Sequence, residues 1–121
     1  MNTQPYIHFD SRDTFFRIAL SQIVHFSADK NYTLLQLTNG QKLMFTFSLQ
    51  KMERYLAEKL NDDAKIFARI GKTYIINLNY VYRIDSVKQK LHLFDTLTQK
   101  TFVLDVSKEA LKNLRKLFTN K

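Results

Sequence analysis

The chain has 121 residues, 45% of them hydrophobic and 25% charged, as expected of one soluble globular domain large enough to bury a single core. It contains no cysteine, which excludes disulfides and thiolate metal sites and fits a reducing cytoplasm. No apolar run approaches the about 18 residues of a membrane span, and residues 1–13, with Asp10, Arg12 and Asp13, lack the apolar core of a signal peptide. The formal net charge is +8, and its placement is lopsided. Residues 1–63 carry seven Lys/Arg and seven Asp/Glu, whereas residues 64–121 carry twelve and four, so the whole excess lies in the second half. A basic half on a neutral half points to a polyanion-binding face, with a solvated lysine surface as the plainer alternative. An acidic membrane surface would call for a basic amphipathic helix with bulky apolar anchors.

Residues 1–13 are read as an N-terminal leader, polar over Met1–Pro5 and carrying a short strand at Tyr6–Phe9; residues 14–121 form the single domain. Phe15–Leu20 and Ile23–Ala28 read as strands from their aromatic and branched residues. Tyr32–Thr38 and Lys42–Phe47 alternate on either side of Asn39-Gly40, which predicts a hairpin with a two-residue turn. Ser48–Leu60 reads as a helix: Ser48 is a good N-cap, and Leu49, Met52, Leu56 and Leu60 make one apolar stripe. Arg54 and Glu58 stand four apart on its outer face, the spacing of a weak ion pair. Strands follow at Ile66–Ile70, Tyr74–Ile76, Tyr80–Ile84, Leu91–Phe94 and Thr101–Leu104. Ser107–Phe118 reads as a second helix, capped by Ser107 and buried along Leu111, Leu114 and Phe118, with Lys112, Arg115 and Lys116 facing out. Many short strands with two helices of moderate length predict a mostly β fold.

Little in the chain suggests catalysis. His8, His25 and His92 fall in three separate strands with no second ligand at metal spacing, so a structural or exposed histidine is expected rather than a zinc site. Gly71-Lys72-Thr73 echoes the end of a phosphate-binding loop, but the glycine required five residues earlier is Ile66, which argues against nucleotide hydrolysis. No local nucleophile, base and orienting group occur together. The expectation is a protein without enzymatic activity, cofactor, metal or small-molecule substrate.

Three polar knots stand out instead: Lys30-Asn31-Tyr32, Gly71-Lys72-Thr73 and Ser107-Lys108. Gly71 interrupts a strand-like run, which marks a positive φ, a bulge or a close approach to the backbone. Lys72 and Thr73 after it are a cation and a hydroxyl, groups that meet phosphate. Ser107-Lys108 opens a helix, where free N–H groups and the positive dipole end attract anions. The Asn31 amide can donate and accept together, as an adenine edge requires. Each knot alone is more often a solvated turn; together, and in a chain of this charge, they favour nucleic acid.

Four blocks in this order resemble the LytTR DNA-binding domain of bacterial transcription regulators. Ile23-Val24-His25-Phe26-Ser27-Ala28 followed by Asn31-Tyr32 is similar to its opening strand and turn. Ser48-Leu49 with the helix to Leu60 resembles its central helix. Phe67-Ala68-Arg69 through Tyr74-Ile75-Ile76-Asn77-Leu78 resembles its most specific block, and Leu104-Asp105-Val106-Ser107-Lys108 its closing strand and step into the last helix. The resemblance runs from about Phe16 to Phe118. It implies a stack of small antiparallel sheets that reads double-stranded DNA with loops entering successive major grooves, bends the duplex and binds paired direct repeats, with room for a second copy on the DNA. Carried over by position, the contact-bearing loops fall at Asn31 or Tyr32, at Lys72 and at Lys108. The DNA-binding set implied is Lys30, Asn31, Tyr32, Arg69, Lys72, Thr73, Ser107 and Lys108, with Arg69 supporting the central loop or touching phosphate.

The chain departs from the family pattern at two contact positions. The central block usually carries His-Arg-Ser or similar where Gly71-Lys72-Thr73 stands, and the later arginine is Lys108. Lysine is nearer a point charge than a two-pronged donor, so phosphate affinity should survive better than base discrimination. About fifteen residues precede the resembling region, too few for a phosphoacceptor receiver domain, so a regulator without one is expected in the bacterial cytoplasm. Two other readings remain open. One is an RNA-binding β module whose Tyr32 and Tyr74 stack on unpaired bases. The other is a protein-interaction domain using a strand edge or the Phe15/Phe16 patch.

Overall fold

The structure, a computed structural model, describes residues 5–119; the leader ahead of Pro5 lies outside the described residues. Ten strands and two helices follow in the order β1 (Tyr6–Asp10), β2 (Phe15–Ala19), β3 (Ile23–Asp29), β4 (Tyr32–Leu37), β5 (Lys42–Phe45), α1 (Leu49–Leu60), β6 (Phe67–Ile70), β7 (Tyr74–Asn77), β8 (Val81–Asp85), β9 (Lys90–Asp95), β10 (Lys100–Asp105) and α2 (Lys108–Thr119). They make three antiparallel sheets: the β1-β2 hairpin, a five-stranded sheet in the order β5-β4-β3-β7-β6, and a three-stranded sheet in the order β10-β9-β8. The mostly β fold of small stacked sheets is therefore the one observed.

The five-stranded sheet is the middle layer, with a core on each face; the second core covers β3, β6 and β7, while Met44 of β5 is exposed. One face meets α1 and the β1-β2 hairpin in a core of Phe9, Ile18, Phe26, Leu35, Leu56, Ile75 and their neighbours. The other meets the three-stranded sheet and α2 around Val24, Ile76, Leu91, Leu93, Leu111 and Leu114. Two cores replace the single one expected. Successive strand residues point to opposite faces, so Ile75 enters one core and Ile76 the other. In β3 the register shifts between Ile23 and His25, a bulge that lets Ile23 and Phe26 share one face while Val24 serves the other. Because Ile7 and Phe9 are buried in the first core, residues 6–10, grouped above with the leader, belong to the packed body.

Local chemistry sets the element ends. The Ser48 hydroxyl accepts from the Lys51 N–H at 3.2 Å and starts α1; Asn61, at φ +50° and ψ −118°, leaves helical geometry and ends it, its N–H donating to the Ala57 carbonyl. All four stripe residues of α1 are buried. Asn77 is buried at the end of β7, donates to the Ile23 carbonyl at 2.9 Å and accepts from the Asn79 N–H at 3.0 Å, which ties β7 to the start of β3. The Tyr80 hydroxyl donates to the Ser21 carbonyl and reinforces the same junction.

Three local expectations are corrected. The β4–β5 loop holds three residues, Thr38, Asn39 and Gly40, because Leu37 bonds Gln41 across it; a turn closed by Gly40 N–H to Leu37 O is followed by Gly40 at φ +93°. The buried stripe of α2 stops at Leu114. Phe118 is 51% exposed, and no α2 residue beyond Leu114 belongs to the second core. Arg54 and Glu58 make no ion pair within 4 Å; both are exposed, where water competes for the two charges. No helix among the described residues is long and apolar enough to cross a membrane.

Candidate nucleic-acid interface

The three polar knots lie at one end of the middle sheet. Lys30 and Asn31 form the turn between β3 and β4, closed by the Asp29–Tyr32 pair. Gly71, Lys72 and Thr73 form the turn between β6 and β7. Since β3 and β7 are neighbours, with Ser27 opposite Tyr74, the two turns emerge side by side; the Ala28 N–H donates to the Thr73 carbonyl at 2.8 Å and links them directly. Ser107 joins from α2, lining a groove of about 390 Å³ together with Gly71, Arg69, Glu109 and Asn113. At the base of this end, Asp105 lies close enough to Tyr74 to add, after burial, to the rise in its phenol pKa.

All three lysines, Lys30, Lys72 and Lys108, are exposed, and none has an acidic partner within 4 Å among the described residues. Lys30 sits at φ +58°, a left-handed conformation that costs a non-glycine residue about 1 kcal/mol or more. Tyr32, at the start of β4, is 44% exposed beside it. Gly71 is at φ +57°, and a Cβ built there would meet no atom within 4 Å, so the position needs glycine for its backbone angle and not for space. The Ser107 hydroxyl accepts from the Ala110 N–H at 3.2 Å and caps α2, and Lys108 is the first helical residue. Lys112, Arg115 and Lys116 are exposed further along the same helix.

Arg69 stands apart from the other seven. It lies across from Ile75 in β6, its side chain is 26% exposed, and its Nη1 donates to Glu53 of α1 at 2.8 Å. Its Nε donates to the Gly71 carbonyl at 2.9 Å. Sequence reasoning named Arg69 but missed Glu53, which is 16 residues away and on another element, with no local signal to mark it.

The histidines do not gather. His8 is exposed on β1 and stacks on Phe15, His92 lies half-buried on β9, and His25 is buried in β3. Burial, assisted by the Lys42 charge, holds His25 near pKa 4, below the ordinary 6.5, so it is neutral at physiological pH; its Nδ1 has no hydrogen-bond partner. No cluster of His, Asp and Glu that could hold a metal occurs among the described residues.

A family model described as the LytTr DNA-binding domain matches residues 13–119. The chain belongs to this family. Among solved structures, the LytTr DNA-binding domain of a Bacillus cereus protein named as a putative methyl-accepting/DNA response regulator superposes with a TM-score of 0.62, covering 97% of this chain and 98% of that one at 19% identity. That likeness shows that the two share the fold. No curated protein sequence matches the chain significantly. The LytTr family is one of DNA-binding domains.

Proposed function

We propose that this LytTr domain is a bacterial transcription regulator that acts in the cytoplasm and reads double-stranded DNA with the three clustered turns. The observation that carries the reading is the meeting of the Lys30-Asn31, Gly71–Thr73 and Ser107-Lys108 bends at one end of the middle sheet, each with a lysine that no acidic group pairs among the described residues. Lys30, Lys72 and Lys108 neutralise phosphates or reach base edges, and Asn31 and Tyr32 make base or sugar contacts. Thr73 and the N-terminus of α2 at Ser107 offer hydrogen bonds to the backbone. Arg69 supports the central turn. The exposed Lys112, Arg115 and Lys116 add backbone attraction. Two copies occupy paired direct repeats.

Selection of bound duplexes from a random pool tests this directly. Enriched direct repeats spaced about one helical turn apart are the expected outcome. Because lysines stand where the family carries arginines, the ratio of specific to random-duplex affinity should stay below ~10⁵. A pool without enrichment, or tighter binding of single-stranded RNA than of any duplex, would overturn the reading.

A further inference from the structure

We infer that Glu53 is a positioning residue for DNA reading: through Arg69 it holds the Gly71–Thr73 turn in the shape that presents Lys72. The inference rests on the proposal that Lys72 contacts DNA. The Ile70–Tyr74 pair closes the base of this turn, and its three residues beyond that pair are exposed. Gly71 is the most conformationally free residue type, it adopts φ +57°, and nothing lies within 4 Å of where its side chain would be. Side-chain packing at Gly71 therefore does not fix the backbone there, and hydrogen bonds at the two ends of the turn take that part. On the β7 side the Thr73 carbonyl accepts from Ala28 at 2.8 Å. On the β6 side the Gly71 carbonyl accepts from the Arg69 Nε at 2.9 Å.

That second bond is only as well placed as the guanidinium that makes it. The Arg69 side chain lies on the α1 face of β6, in a groove shared with Glu53, Leu56, Phe67 and Ile75, and its Nη1 is fixed by the Glu53 carboxylate at 2.8 Å. A planar, charge-assisted donor held at one corner and donating at another is a rigid strut. The result is a relay from helix to turn: Glu53 orients Arg69, Arg69 orients Gly71, and Lys72 follows next in the chain. The same pairing occupies the positive charge of Arg69, which is engaged on the α1 side and does not stand as a free cation at the tip.

Opposite signs separate this role from a direct phosphate contact by Arg69. Glu53→Ala removes a negative charge, so if Arg69 were a phosphate ligand held back by Glu53, every duplex would bind more tightly. In the positioning role, affinity for the selected duplex falls about tenfold because the turn must be ordered on binding, while affinity for random duplex holds or rises. Arg69→Lys keeps the charge beside Glu53 but loses the Nε donor, and should behave like Glu53→Ala. The exchange Glu53→Arg with Arg69→Glu restores an ion pair but gives Gly71 no donor; it should recover thermal stability without recovering specific affinity. In a Lys72→Ala background, Glu53→Ala should have little further effect. Unchanged specific affinity in Glu53→Ala, full rescue by the exchange, or additive losses with Lys72→Ala would each overturn the inference. Wild-type binding by Lys72→Ala alone would instead overturn the underlying reading of the turn.

Discussion

Lys30 adopts φ +58° at the turn between β3 and β4, where glycine would sit without strain. A strained, exposed lysine at a candidate interface suggests that its side chain is kept for binding at some expense of stability. Lys30→Gly should therefore raise stability by up to about 1 kcal/mol in chemical denaturation and weaken DNA affinity; a variant that gained neither stability nor a binding defect would contradict this. His25 is the opposite case, a buried group outside the interface. Its unfolded form takes up a proton near pH 6.5, whereas the folded form resists until about pH 4. Stability is thus full above the upper value and declines as pH falls through this window, by at most about 3 kcal/mol. His25→Phe, which removes both the titration and the unpartnered Nδ1, should flatten that decline and leave neutral-pH stability equal or higher; unfolding midpoints measured across the window would show it. Residue types announced some of these roles and hid others. Gly71 stood out because glycine is rare here and interrupts a strand, while nothing in the sequence near Arg69 points to Glu53, whose contact exists only once α1 lies against β6.

At the scale of elements, α2 carries the third bend, and its start depends on one hydroxyl. Ser107→Ala frees the Ala110 N–H and should cost about 0.5–2 kcal/mol, with weaker DNA binding as the first turn loosens around Lys108. Ser107→Asp should restore the cap and the thermal midpoint while still binding DNA poorly, since a carboxylate would face phosphate; recovery of both properties would argue that the helix start is remote from DNA. Caps were legible because their signal lies within four residues. The α1 stripe was legible because its period matches a surface running its whole length. The stripe of α2 misled at Phe118 because the period continues in sequence after the core it serves has ended. The loop at Asn39-Gly40 misled by one residue because its length is set by Leu37 meeting Gln41, a register that two strands decide together.

At the scale of the whole molecule, the fold explains how charge becomes an interface. The surplus of the second half is not confined to one element, yet the sheet order brings the turn that carries Lys72 beside the turn that carries Lys30 of the neutral half, and Ser107, next to Lys108, lines a groove with Gly71. Composition revealed the surplus and strand patterning revealed the class of fold. Their convergence depends on β3 pairing with β7 across a long stretch of chain, which no local pattern encodes. Two cores pack against opposite faces of that middle sheet, while the residues of its turns, Lys30, Asn31, Gly71, Lys72 and Thr73, are exposed. The central claim is that the three bends grip one duplex together. Its most direct test is the salt dependence of the dissociation constant on a selected duplex for the wild type and for Lys30→Ala, Lys72→Ala and Lys108→Ala. Each substitution should weaken binding and reduce the log–log slope by about 0.9 for every phosphate it leaves without a cation. Wild-type affinity and slope in all three would contradict the account.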